Sequence, residues 1–338
     1  MTISRYLPLP DFYNSDLVRE VYRVPYQQRA IEAKIWKQQH QMLSAFQDKH
    51  QVGLLLIDVQ NTFCLPEFEL FVGGTSGRGA IEDNIKLCEF IYRHLGEITE
   101  ILPTMDSHTA MQIFHPVFWI DETEKHPDPG TIITLEAVQE GKWQVNPQLK
   151  QGFSQDIDRL RQHALHYVQK LNEEDRYPLT IWPYHSMLGG IGHALVSAVE
   201  EAIFFHNIAR QSPTKFELKG SNPLTENYSV LSPEVLDTAD GKAIDRTNNG
   251  LIRKLLAFDK LIVAGQAKSH CVAWTIENLL TEINAVDPNL AEKIYLLEDC
   301  MSPVVIPGVI DFSEQAEQTF KKFQNAGMKL VKSTDSIF

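Results

Sequence analysis

Leu261-Ile262-Val263-Ala264-Gly265-Gln266-Ala267-Lys268-Ser269-His270-Cys271-Val272 is an apolar run that passes through a glycine to a cysteine. Beyond it Val272, Ile276, Leu279, Leu280 and Ile283 recur at helical spacing, so the segment reads as strand, tight turn and helix. Cys271 then stands at or near the first turn of that helix, where unpaired backbone N–H groups and the helix dipole favour a thiolate. Taken by itself, a free cysteine is equally well read as a small buried hydrophobe.

Working outward, further strand-like runs occur at 52–57, 98–105, 293–297 and 328–331, with a weaker one at 214–218. Helical patterns separate most of them. Ile81, Ile85, Cys88, Ile91 and Leu95 share one face before Gly96; Ile244, Ile252, Leu255 and Leu256 precede the strand at 261; residues 312–323 carry another helix. This rhythm predicts right-handed βαβ units and an α/β fold of three layers, α/β/α, around a central parallel sheet. Two additions interrupt it. Residues 1–50 form an N-terminal extension, helical over 27–46, expected on the outside or against another subunit. Residues 51–338 form the core domain, with an insertion at about 121–177 that opens on Pro127, Pro129 and Gly130. The insertion carries an amphipathic helix with Ile157, Leu160, Ala164, Tyr167, Val168 and Leu171 on one face.

The 338 residues, 43% of them hydrophobic, suffice for a large core. With 31 Lys and Arg against 44 Asp and Glu the net charge is −13, which argues against a nucleic-acid or anionic-membrane surface. No signal-peptide core and no long apolar span is present, so a cytoplasmic protein is expected. The four cysteines, at 64, 88, 271 and 300, make no CxxC pair, and reduced thiols are the default.

In open parallel sheets ligands bind at the carboxyl ends of the strands. The run at 52–57 ends in Asp58, the run at 98–105 in Asp106 followed by His108, the weak run in Lys219, and the run at 261–264 leads to Cys271. Each has a plain alternative: a helix cap, a turn, a solvated charge. Their joint placement at successive strand ends predicts one shared crevice.

These residues resemble the isochorismatase-like cysteine hydrolases, and among them the nicotinamidases. Leu56-Ile57-Asp58-Val59-Gln60-Asn61-Thr62-Phe63 is similar to the family's first strand, Lys219-Gly220 with Tyr228-Ser229 to its lysine motif, and Gly265 to Val272 to its nucleophile motif. The resemblance implies a triad of Asp58, Lys219 and Cys271. It also implies an oxyanion hole from the backbone amides of Ala267 and Cys271, with a cis peptide preceding Ala267. Asp106-Ser107-His108 and Trp182-Pro183-Tyr184-His185 resemble the nicotinamidase metal site, which implies a divalent cation, zinc or else iron or manganese, on Asp106, His108 and His185. His115 is a further candidate ligand. Phe63 and Trp182 resemble the aromatic walls around a pyridine ring.

The implied activity is hydrolysis of nicotinamide to nicotinate and ammonia through a thioester on Cys271, in an enzyme acting on a small-molecule amide and expected to be a homo-oligomer. A metal-free amidase, carbamoyl hydrolase or isochorismatase-like hydrolase of another substrate is the alternative, and a non-catalytic binding homologue a third. Two departures bear on the substrate: Ser186 stands where these enzymes usually have cysteine, and His270 where tyrosine is commoner.

Overall fold

The computed structural model describes residues 6–153, 156–174, 176–306, 308 and 310–338. Strands β1 (Val52–Ile57), β2 (Glu100–Asp106), β3 (Glu217–Lys219), β4 (Lys260–Gly265), β5 (Ile294–Leu297) and β6 (Lys329–Val331) form one sheet in the order β6-β5-β4-β1-β2-β3. All its pairings are parallel, with Leu54 opposite Ile101 on one side and Ile262 on the other. Every residue of β1 is buried, which is why it reads as an unbroken apolar run instead of alternating. Each expected run appears as a strand, the run at 52–57 unchanged and the others with ends shifted by at most three residues, and the weakest shrinks to three residues ending on Lys219.

The helices of nine residues or more are α1 (Tyr26–Gln39), α2 (Gly79–Arg93), α3 (Ile157–Glu173), α4 (Ser197–Arg210), α5 (Asn249–Ala257), α6 (Ala273–Val286) and α7 (Ser313–Asn325). Side chains on β1 alternate between two cores. Leu54 and Leu56 pack with α2 and α4, while Leu55 and Ile57 pack with α5, α6 and α7. This makes three layers, α/β/α. The chain builds β2 and β3 to one side of β1 and β4, β5 and β6 to the other, so the crevice at the carboxyl end of β1 is the topological switch point where ligands bind in such sheets.

The N-terminal segment lies on its own chain, against the outer face of α4. Arg29 Nε is 2.6 Å from Glu201 Oε1, and Arg210 Nη2 is 2.6 Å from Asp48 Oδ1. The helix expected over 27–46 stops at Gln39, and a short 3₁₀ turn follows at Ala45–Gln47. Helix α4 had no forecast: the sheet buries one side and the N-terminal segment much of the other, so its polar stripe is thin. The insertion contributes to a third core, with Leu160, Tyr167 and Leu171 of α3 and Ile133 packed with Trp119. That core also takes in Ile113, Phe114 and Phe118 before residue 121, and Leu224 and Val235 beyond β3. Among the described residues no helix is long and apolar enough to cross a membrane.

Candidate active site

Strand β1 ends at Ile57, and the next residue, Asp58, takes φ +48°, a left-handed conformation that Asp tolerates better than most residues. Thr104 of β2 holds it there: its hydroxyl accepts the Asp58 N–H at 3.1 Å and donates to Oδ1 at 2.6 Å. Gln60 grips the peptide at the end of β2, accepting the Asp106 N–H and donating to the Asp106 carbonyl, each at 2.8 Å. Neither Thr104 nor Gln60 was singled out in the sequence, although a threonine inside an apolar strand is a readable signal.

Lys219 at the end of β3 draws the set together. Its Nζ lies 3.0 Å from Asp58 Oδ2 and 2.8 Å from Asp106 Oδ1, donates to the Asn227 carbonyl at 2.7 Å, and sits 3.7 Å from Cys271 Sγ. Cys271 is in a wide turn, Lys268–Val272, just before α6. Gly265 at the end of β4 has φ +127°, and a Cβ there would lie 2.1 Å from the Ile57 carbonyl oxygen, so only glycine lets β4 lie this close to β1. The peptide between Gln266 and Ala267 is cis.

Burial pushes the Cys271 thiol well above its usual pKa, against the pull of the Lys219 charge, and the neighbouring Asp58 and Asp106 add to the rise. This differs from the thiolate favoured by a helix start: enclosure outweighs the dipole, and the resting group is a thiol. Burial also raises Asp58, with Lys219 opposing. Lys219 loses to burial but gains more from Asp106 and Asp58, so it stays charged. The trio therefore holds one fixed positive charge beside a thiol and a carboxylate that can exchange a proton.

Asp106, His108 and His185 bring one ligand atom each to within 4.8 Å of one another. His108 Nδ1 is 3.1 Å from the Gly220 carbonyl and His185 Nδ1 2.8 Å from the Pro183 carbonyl, which puts the ring protons on Nδ1 and leaves both Nε2 lone pairs inward. Those nitrogens lie 2.7 and 3.4 Å from Asp106 Oδ2. His108 Nε2 is buried and, despite that approach, makes no hydrogen bond. Lone pairs of two imidazoles and a carboxylate facing one another repel unless a cation or proton lies between them, so the residues fit a metal ion. His115 is not in that tight cluster, but its ring lies 5.9 Å from that of His108 and 6.0 Å from that of His185, its Nδ1 is 3.2 Å from the Ala110 carbonyl, and its Nε2 is buried without a partner.

A cavity of about 290 Å³ opens over these groups, at the small end of the range for ligand sites. Asp106, His185, Lys219, Ala267 and Cys271 line it, with Phe63 and Trp182 among its walls. Phe63 meets the His185 ring edge-on at 5.7 Å, and Trp182 Nε1 donates to Tyr228 Oη at 3.2 Å. Glu226 also lines it and had no signal in the sequence: it sits in an irregular loop, its Oε1 accepts the Asn227 N–H at 2.8 Å, and burial raises its carboxyl to about 7.

Among solved structures the chain is similar to a nicotinamidase/pyrazinamidase of Acinetobacter baumanii, with a TM-score of 0.50 and 17% identity over 86% of this chain and 99% of that one. It is equally similar to the yeast nicotinamidase, with a TM-score of 0.50 and 17% identity over 83% of this chain and 99% of that one. No protein-family model and no curated protein matches the sequence. At that identity the likeness is one of fold: the chain has the three-layer α/β fold of these enzymes.

Proposed function

We propose that the protein is a cysteine-dependent amide hydrolase of nicotinamidase type, which converts a small aromatic carboxamide such as nicotinamide to its acid and ammonia. The observation that carries this reading is the meeting of Cys271 Sγ, Lys219 Nζ and the Asp58 carboxylate beneath a cavity that Cys271 and Lys219 line together with Asp106 and His185 of the Asp106, His108 and His185 cluster. The carboxamide binds with its ring between Phe63 and Trp182. Asp58 takes the Cys271 proton as sulfur attacks the carbonyl carbon, and Lys219 offsets the negative charge that remains between the two carboxylates. The backbone N–H groups of Ala267 and Cys271 receive the oxyanion, a contribution of about 3 kcal/mol per donor in other enzymes. Asp58 then passes the proton to the departing nitrogen, the C–N bond breaks, and ammonia leaves a thioester on Cys271. Water, deprotonated by Asp58, hydrolyses the thioester and regenerates the thiol.

Asp106, His108 and His185 would hold a divalent cation, zinc by the donor set, with positions left for water or a ligand nitrogen. Bound there, it supplies Lewis acidity and a fixed point for orienting the substrate. The test is ammonia release from nicotinamide, pyrazinamide, simple amides and carbamoyl compounds. Turnover of an aromatic carboxamide that disappears in Cys271→Ala supports the reading, and turnover confined to carbamoyl compounds replaces it.

A further inference from the structure

We infer that His270 is a fixed hydrogen-bond donor to substrate through its Nε2–H, so that the favoured carboxamide carries a neutral acceptor on its acyl part, away from the reacting carbonyl. This rests on the amidase reading of the cavity and adds the class of acyl group.

His270 immediately precedes Cys271, is 5% exposed, and lines the cavity. Its Nδ1 lies 2.8 Å from Ser269 Oγ. That hydroxyl already accepts the Val304 N–H at 3.0 Å. A hydroxyl has one proton to give, and among the described residues Nδ1 is its one acceptor within reach. Nδ1 is therefore the lone-pair nitrogen and the ring proton sits on Nε2. Burial lowers the imidazole to about 3, so the ring is neutral. Nε2 has no protein partner among the described residues, it is not among the sealed polar atoms, and His270 lines the cavity, which is the space we assign to that N–H. The ring direction is set by its neighbours: Phe312 at 4.7 Å, Tyr177 at 5.0 Å and Tyr228 at 5.5 Å between centroids. Tyr177 is itself tied down, donating to the Ser269 carbonyl at 2.8 Å.

A buried donor left without an acceptor is penalised, so a ligand that supplies one is preferred over an isostere that does not. The charge around it selects the kind of acceptor. The His270 ring itself carries no charge to pair with an anion, and Glu69 and Glu226 line the same cavity in addition to Asp106, the carboxylate assigned to the metal, so a neutral acceptor suits it. A ring nitrogen, ether oxygen or ketone oxygen on a flat acyl group fits the aromatic walls.

The test measures binding to Cys271→Ala protein, where no turnover intervenes, by calorimetry with benzamides bearing acetyl or the isosteric isopropenyl group at the 3 or 4 position. At one position acetyl should bind about tenfold tighter or better. Adding His270→Phe should collapse that ratio to within about twofold, and His270→Gln, which keeps a donor, should restore part of it. In the unmutated protein, 15N–1H correlation should place the imidazole proton on Nε2. No acetyl preference at either position, a preference that survives His270→Phe, or a proton on Nδ1 would overturn the assignment. An acetyl preference in binding together with no ammonia release by the unmutated protein from any amide would leave His270 as the donor and remove the amidase reading.

Discussion

Replacing Lys219 by methionine keeps the length of the side chain but removes the one charge that Asp58 and Asp106 share, at 3.0 and 2.8 Å. Lys219 is 5% exposed, Asp58 0% and Asp106 3%, so water replaces little of the loss. Deleting one partner of such a buried set costs about 3–5 kcal/mol, a large share of a total stability of roughly 5–15 kcal/mol. The pH dependence follows from the direction of each shift. Lys219 is raised above its ordinary value, so its contribution is complete below that value and is lost only as pH rises past the folded one. Asp106 is held well below its ordinary value: burial alone would raise it, but His108, which Asp106 keeps protonated when no metal is bound, and Lys219 outweigh that, so its contribution is lost only in acid. Between pH 5 and 9 neither Lys219 nor Asp106 therefore changes its charge in the parent protein. In Lys219→Met a carboxyl stays protonated to escape burial, and each unit of pH between its ordinary value and its raised one costs about 1.4 kcal/mol. Guanidinium unfolding in the presence of a chelator should show a loss of about 3–5 kcal/mol at pH 8, smaller by at least about 1.4 kcal/mol at pH 6. A loss below about 1 kcal/mol at both values, or a larger one at pH 6, would refute the claim that this lysine neutralises two buried carboxylates.

Gly220 has φ +81°, and a Cβ there would lie 2.7 Å from His108 Cε1 and 2.9 Å from Asp106 Oδ1. Gly220→Ala should therefore weaken zinc binding, measured by competition with a chromophoric chelator, by about tenfold or more, as displacing a supporting contact of a metal ligand does. Arg210→Ala strands Asp48, which its guanidinium meets at 2.6 Å, and leaves the Leu43 carbonyl without its donor, so denaturant unfolding should show a loss of about 3–5 kcal/mol. Cys271 faces the cavity whereas Cys64, Cys88 and Cys300 are at most 1% exposed, so peptide mapping after brief iodoacetamide treatment should find Cys271 modified first. Because burial raises that thiol, the labelling rate should still be climbing above pH 9, its ordinary value.

The strand ends were legible because a parallel sheet covered on both faces reads as unbroken apolar runs, and Asp58, Asp106, Lys219 and the turn to Cys271 stand where those runs stop. What escaped was set by packing over long distances. Helix α4 is covered by the N-terminal segment, a contact that leaves no local period. Glu226 lies in a loop placed by the insertion, whose Tyr167 hydroxyl accepts the Glu226 N–H at 3.1 Å, and nothing near it in sequence announces that neighbour. Gln60 acts on a peptide 46 residues away. The thiolate expected at Cys271 rested on the local helix start, whereas the burial that raises the thiol is built from parts of the chain distant in sequence, among them those carrying Asp58, Asp106 and Lys219.

The central claim, that amide cleavage passes through a bond to Cys271, is tested most directly by acid-quenching the protein within milliseconds of mixing with nicotinamide or the best carboxamide of the panel, and weighing the intact chain. The account predicts an adduct equal to the acyl group, mapped to the Cys271 peptide, with one ammonia released per adduct and neither seen in Cys271→Ala. Steady ammonia release with no adduct, and undiminished in Cys271→Ala, would contradict it.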